Sequence, residues 1–479
     1  MFDRKLVIAY ACLVVVPLLG VPGILRLGQH LTPPLSRGTA ANLNSNSSAL
    51  LLGMPNLVIL ILQITIIVAA SRAVAVLFRK VRQPKVIGEM FAGIMLGPSL
   101  LGWAAPHVSG FLFPASSLGY LSALSQVGVV IYMFLVGLSL SPRELHEQGH
   151  TAVFTSLVSI IAPFVLGSAL ALLLYPRLSA RSVNFTAFAL FMGAAMSMTA
   201  FPVLARILTD RNMLGTKLGS LAIACAAVGD VTGWCILAYI VVVARAQQPG
   251  SPSPWLTLAG LGVFLLVMFH GIRPLLRGFE RAYRRSNQLT ENVLALLVAV
   301  VLASAVITEW LGLHLLFGSF LAGVIMPKDQ KFVRHILDKF ESATVVLLLP
   351  LYFAFTGLRT SVRLIQGPGM WFFCLMIILA AVAGKLGGSL LAARATGAGW
   401  KEAAGLGILM NARGLMELVI LNIGLDIGVI SPPLFSMLVV MALVTTFMTT
   451  PLLEWVYPMR LIQQERADLR TREVGYEPA

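Results

Sequence analysis

The chain has 479 residues, of which 58% are hydrophobic and 11% charged, and its mean hydropathy is +0.87. Soluble domains carry about 25% charged residues, so this composition excludes a soluble enzyme or binding domain and describes a polytopic membrane protein. The net charge of +15 fits basic cytoplasmic loops better than a nucleic-acid-binding surface.

Apolar stretches long enough to span a bilayer, about 17–25 residues, recur along the whole length. They are predicted at 5–26, 55–78, 85–102, 117–140, 151–175, 183–208, 218–244, 254–272, 291–311, 313–327, 342–358, 371–393, 402–425 and 431–456. Arg4 and Lys5 precede the first run, as in a signal peptide, but the run is long and no clean A-x-A site follows. It is read as a retained helix, with cleavage as the alternative, giving 14 or 13 spans. Residues 1–54 therefore hold an N-terminal helix (or signal) and a polar external loop, 55–458 the transmembrane domain, and 459–479 a short cytoplasmic tail. The four cysteines, Cys12, Cys225, Cys235 and Cys374, fall in apolar runs and read as small core residues rather than a disulfide framework.

Orientation follows from lysine and arginine. With the N-terminus inside and alternating spans, 25 of the 35 basic residues fall on the inner side and seven outside, and Arg72, Lys385 and Arg413 lie within helices. That asymmetry places both termini in the cytoplasm. Trp103, Trp310, Trp371 and Trp455 fall near span ends, as in an aromatic belt.

The chain also echoes itself. FAGIMLGP (Phe91 to Pro98) resembles LAGVIMP (Leu321 to Pro327), and YMFLVGL (Tyr132 to Leu138) resembles YFAFTGL (Tyr352 to Leu358). Each pair is seven spans apart, an odd number, so the copies have opposite topology. Inverted repeats of this kind mark secondary transporters. Pro202 interrupts the span 183–208 beside Ser197 and Thr199, and the span seven later carries Gly405, Gly407, Asn411, Arg413 and Gly414. Two broken helices crossing near the midplane are expected.

They would frame Asp230, which has no other charge between Lys217 and Arg245. A carboxylate at that depth costs about 2.5–3.5 kcal/mol on insertion scales. It is read as a group that binds either a proton or a cation, with a permanent salt bridge as the alternative. Freed backbone carbonyls and the hydroxyls of Ser197 and Thr199 could complete an oxygen shell for a monovalent metal cation. Lys385 lies mid-span among glycines, and either competes with the cation for Asp230 or makes a fixed salt bridge. Arg413 and Glu417, four apart, read as a structural ion pair near the broken helix. Glu89 reads as packing or cavity-lining at a helix start, and Arg72 as a snorkelling residue. Glu309 and His314 read as interfacial, and Asp426 and Glu454 as helix-end residues of little signal. Nucleotide, zinc and haem motifs do not occur, so no cofactor is expected and ATP-driven transport by this chain alone is disfavoured.

Together GEMFAGIMLGPSLLG (Gly88 to Gly102), SMTAFPVLARIL (Ser197 to Leu208), the Asp230 helix, FGSFLAGVIMP (Phe317 to Pro327) and MNARGLMELVILNIG (Met410 to Gly424) resemble the monovalent cation:proton antiporters. The branch most resembled holds bacterial sodium/proton and potassium/proton antiporters and plant cation/proton exchangers. The resemblance runs from about Pro55 to Pro458. It implies a homodimer with a dimerisation part and a mobile core part, Asp230 as the ion-binding aspartate, Lys385 as the membrane-embedded lysine, and elevator-like alternating access. One departure stands out. The family places Asp-Asp or Asn-Asp where this chain has Gly229-Asp230, so a single acid and a charged Lys385 would make one-for-one exchange electroneutral.

The expected fold is thus an all-α polytopic membrane protein of 13–14 transmembrane helices, with an inverted repeat and two broken crossing helices. The expected function is proton exchange for Na⁺ or K⁺ across a cell (inner) membrane by alternating access, with H⁺, the cation, the lipid bilayer and a second copy of the chain as partners and no nucleic acid. The rivals are a gated cation channel, a transport-inactive ion sensor of the same fold, and a sodium-coupled symporter.

Overall fold

The computed structural model describes residues 8–34, 56–81, 83–139, 149–180, 183–213, 216–245, 254–286, 290–458 and 461–463. The expected external loop beyond residue 34 and most of the tail after 458 lie outside the described residues. Among the described residues, fourteen apolar helices of ten residues or more follow in order, α6 and α13 each counted as one across a break. They are α1 (Ile8–Gly28), α2 (Leu57–Lys80), α3 (Lys85–Ala104), α4 (Ser116–Ser139), α5 (Thr151–Leu178), α6 (Phe185–Asp210) and α7 (Lys217–Ala244). Then come α8 (Trp255–Gly278), α9 (Glu291–Trp310), α10 (Leu315–Ile325), α11 (Gln330–Leu364), α12 (Gly367–Ala395), α13 (Trp400–Met410 with Leu415–Asp426) and α14 (Pro432–Val456).

Boundaries moved where charge interrupts hydropathy. The span expected at 342–358 begins at Gln330, because the Asp329 carboxylate accepts the Lys331 and Phe332 amides and starts an amphipathic stretch that an apolar-run reading passes over. The cysteines divide: Cys225 and Cys374 are buried as expected, whereas Cys12 and Cys235 are exposed on faces that hydrocarbon would cover. The four span-end tryptophans all expose their rings, as side chains at a membrane interface do. Glu309 and His314 do more than sit at an interface. Glu309 Oε2 accepts the Leu315 amide at 2.9 Å and His314 Nδ1 the Leu316 amide at 3.4 Å, which caps α10.

The internal echo becomes packing. The glycines of one copy cross the helices of the other: a Cβ on Gly93 in α3 would stand 2.5 Å from the Phe353 carbonyl oxygen in α11, and one on Gly357 2.1 Å from the Gly93 carbonyl carbon. In the same way, a Cβ on Gly137 in α4 would lie 2.2 Å from the Phe320 oxygen in α10, and one on Gly323 2.2 Å from the Phe134 oxygen. Those distances leave room for hydrogen alone, so backbones touch at both crossings. The end of each crossing is fastened. Lys328 donates to the Gly137, Leu138 and Gly323 carbonyls, and at the opposite end Ser99 donates to the Thr360 carbonyl and accepts the Val362 amide.

Twelve of the helices sort into two bundles of six by what they pack against, while α8 touches both α7 and α10. In one, α2, α3, α4 and α11 pack together with α9 and α10; in the other, α5, α6, α7, α12, α13 and α14 do. Helix α1 lies on α5 and α6, where Tyr10 meets Phe154 with ring centroids 4.2 Å apart. The first bundle is here called the scaffold and the second the core.

Candidate ion-binding site

Both breaks fall where the sequence places them. Helix α6 is interrupted between its halves α6a (Phe185–Ser197) and α6b (Phe201–Asp210), with Met198–Ala200 extended and Pro202 in the first turn of α6b. A proline there removes an amide that would have no helical partner. Helix α13 breaks between α13a (Trp400–Met410) and α13b (Leu415–Asp426), with a bend of 42°. The two breaks bond to each other: the Ala200 amide donates to the Ala412 carbonyl at 3.1 Å, and Thr199 Oγ1 to the Met410 carbonyl at 3.2 Å.

Two broken helices leave two bare carbonyl ends and two bare amide ends at mid-depth. At the carbonyl end of α6a stand two cations. Arg413 Nη1 bonds the Ala195 carbonyl at 3.1 Å and Nη2 the Met196 carbonyl at 2.7 Å, while Lys385 Nζ bonds the Ser197 carbonyl and, at 3.1 Å, the Ser159 carbonyl of α5. Three consecutive carbonyls at the end of α6a are thus covered by two cations, the sign that the dipole favours there. Arg413 Nη1 also pairs with Glu417 Oε1 at 3.1 Å, both side chains being fully buried. Lys385 lies in a widened helical turn, Ala383–Gly387, a form often found at functional positions.

Asp230 faces the opposite kind of end. It is 3% exposed, and the Phe201 amide, at the N-terminus of α6b, lies near its carboxylate. Its Oδ2 has no partner. A cavity of about 10 Å³ borders it, lined by Met198, Gly233, Trp234, Leu237, Met416 and Ile420. Trp234 Nε1, one turn from Asp230, is also unpartnered. The space is that of roughly one water, beside an orphaned carboxylate oxygen.

Asp230, Ser197, Thr199, Lys385, Arg413 and Glu417 converge on one crossing. Among the described ion pairs none joins Lys385 to Asp230; the lysine holds the end of α6a instead. Ser197 Oγ donates to the Ala194 carbonyl at 2.9 Å, so it and Thr199 spend their protons on the backbone and keep oxygen lone pairs. Gly229 borders open space: a Cβ there would meet only Ser156 Oγ, at 3.6 Å. Asp426 and Glu454, which carried little signal in the sequence, pair with Arg359 and Arg211 at 2.5 and 2.8 Å. Arg72 stands 3.9 Å from the buried Glu89.

This crossing can be set beside known proteins. Residues 64–455 match the family described as "Sodium/hydrogen exchanger, transmembrane". The chain belongs to that family. It is 43% identical over 403 residues to the Na⁺/H⁺ antiporter NhaS4 of Synechocystis, a match covering 84% of this chain and 98% of that protein. It is 31% identical over 409 residues to the K⁺/H⁺ antiporter 1 of Saccharomyces cerevisiae, covering 84% of this chain and 47% of the yeast protein. The exchanger chain therefore spans nearly all of the cyanobacterial relative but about half the length of the yeast one, and likewise of its plant relatives. Its fold is similar to the sodium proton antiporter MjNhaP1 of Methanocaldococcus jannaschii, with a TM-score of 0.61 at 15% identity, over 85% of this chain and 99% of that one. The fold of a solved antiporter is thereby shared by this chain.

Proposed function

We propose that this exchanger trades one proton for one Na⁺ or K⁺ per cycle, with Asp230 as the shared site, by alternating exposure of the core to the two faces of a cell membrane. The observation that carries the reading is the buried Asp230 carboxylate, near the N-terminal amide of α6b and left with an unpartnered Oδ2 beside a water-sized space. A lone carboxylate holds a proton or a hard monovalent cation but not both, and that exclusion couples the two fluxes. The hydroxyl oxygens of Ser197 and Thr199 supply ligands once α6 shifts by a fraction of a turn, with water completing the shell. The named activities of the Synechocystis and yeast relatives, one Na⁺/H⁺ and one K⁺/H⁺, support the cation class.

Lys385 and Arg413 act differently: each remains a cation bound to the end of α6a. With Asp230 and Glu417 ionised, the four buried side chains sum to zero charge. Replacing a proton on Asp230 by a monovalent cation leaves the charge of the moving core unchanged, so the exchange is electroneutral. The reading includes a homodimer built on the scaffold and cytoplasmic termini, the latter supported by the bias of lysine and arginine.

The test uses purified protein in liposomes with a trapped pH dye and an inward-acid gradient. Na⁺, K⁺ or Li⁺ is added in turn to the native chain and to Asp230→Asn. Cation-dependent collapse of the gradient in the native chain, absent in the variant, is the expected result. Full exchange by Asp230→Asn would refute the site, and current without proton movement would identify a channel.

A further inference from the structure

The scaffold and the core meet differently on the two faces. On the inner side a cleft of about 570 Å³ opens between the ends of α2 and α3 (Arg79, Gln83, Lys85) and those of α6b and α14 (Arg206, Asp210, Glu454). Two charged pairs along it lie within the core: Arg206 with Asp210, and Arg211 with Glu454. Across the cleft runs a neutral bond, Gln83 Nε2 to the Phe447 carbonyl at 3.2 Å.

On the outer side the same two bundles are clasped. Arg359, at the outer end of scaffold helix α11, reaches core helix α13b with both nitrogens: Nη1 to Asn422 Oδ1 at 3.0 Å and Nη2 to Asp426 Oδ1 at 2.5 Å. Asn422 returns two bonds to α11, from Nδ2 to Tyr352 OH at 3.2 Å and to Thr356 Oγ1 at 2.9 Å. The guanidinium also lies over its own helix's Phe355 ring, 5.5 Å from the centroid, which fixes its direction. The outer gap left beside this seam is about 30 Å³.

The repeat sharpens the contrast. Aligning YMFLVGL with YFAFTGL puts Ser139 where Arg359 stands. Ser139 Oγ turns back to the Leu135 carbonyl at 2.7 Å. The two halves are built alike, yet one carries a forked cation at the core–scaffold boundary and the other a hydroxyl that bonds its own helix.

We propose that Arg359 is a positioning residue of the exchange cycle: its clasp on Asn422 and Asp426 holds the outer face shut and tilts the resting balance toward the inward-open arrangement, since the outer gap is small beside the inner cleft and the aligned Ser139 bonds its own helix. The clasp must open on each turnover for Asp230 to reach the outer face. The inference rests on the alternating-access reading above, but its test reads conformation without transport.

Two cysteine reporters are placed in the full-length protein, Lys85→Cys in the inner cleft and Gln126→Cys in the outer gap, and each is labelled with a membrane-impermeant maleimide from its own side. With Arg359→Ala, inner labelling is expected to slow and outer labelling to quicken, so that the ratio of the two rates falls about tenfold, the order that a charge-assisted hydrogen bond carries. Asp426→Asn should move both in the same directions by less, and Arg359→Lys should restore most of the native pattern. Unchanged labelling at both reporters overturns the proposal. Faster labelling at both also overturns it, since that is the mark of general loosening. Should Arg359→Ala fail to fold, Asp426→Asn alone decides by the same two criteria. A chain that labels as expected yet shows no exchange with any cation would keep the clasp and discard the ion assignment.

Discussion

Gly229→Asp changes the electrical character of the exchanger, and its size can be worked from the structure. The substitution fits, because a Cβ at 229 meets Ser156 Oγ at an ordinary contact distance of 3.6 Å and nothing closer. The native site carries two buried cations, Lys385 and Arg413, against two carboxylates, Asp230 and Glu417. A second acid beside Asp230 adds one titrating charge to the moving core. If the variant returns with two protons for each cation, one net charge crosses per cycle. A potential of 100 mV then contributes about 2.3 kcal/mol per charge, which at about 1.36 kcal/mol per decade is roughly a 50-fold displacement of the steady ion ratio. The assay is a proteoliposome preparation under a diffusion potential carried by an ion that the protein does not transport, with steady internal pH as the readout. The native chain is expected to ignore the potential and Gly229→Asp to follow it. A native chain that already follows the potential, or a variant that transports and ignores it, refutes the charge count.

The remaining predictions concern the groups around that site. Glu417→Gln strips the buried Arg413 of its counter-charge while the Ala195 and Met196 carbonyls remain; the loss is expected near 3 kcal/mol, the low end for a broken buried pair, and thermal unfolding in detergent measures it. Lys328 lies between the ends of α10 and α11, and burial, aided by Arg273, lowers its pKa to about 8. The unfolded chain therefore binds this proton more tightly, so between about pH 8 and pH 10 the group should add stability as pH rises. Lys328→Met should flatten that slope in a pH series of unfolding midpoints, and an unaltered slope would show that another group titrates there.

Much of the molecule was legible in its residues because membranes restrict what a chain can do. Backbone groups in hydrocarbon must be satisfied within helices, so apolar run length yielded the helix count, and the bias of lysine and arginine yielded an orientation. The glycines of FAGIMLGP and YMFLVGL announced the repeat, and a lone Asp230 between Lys217 and Arg245 announced itself by its cost. Family membership followed from the same motifs and is borne out over residues 64–455.

Partnership is what the sequence did not hold. It showed Lys385 and Asp230 as opposite charges at like depth, with competition for the cation and a fixed salt bridge as equal alternatives; packing turned the lysine onto the bare end of α6a and left Asp230 Oδ2 without a partner. It gave Asp426 no weight, because a carboxylate at a helix end is ordinary until Arg359, 67 residues away, is seen to grip it. Composition and periodicity depend on neighbours along the chain, and they decide which segments are helices and how deep each residue lies. Which carbonyl a cation covers, and which oxygen is left without a partner, depends on helices brought together from opposite repeats, and only the tertiary fold settles that.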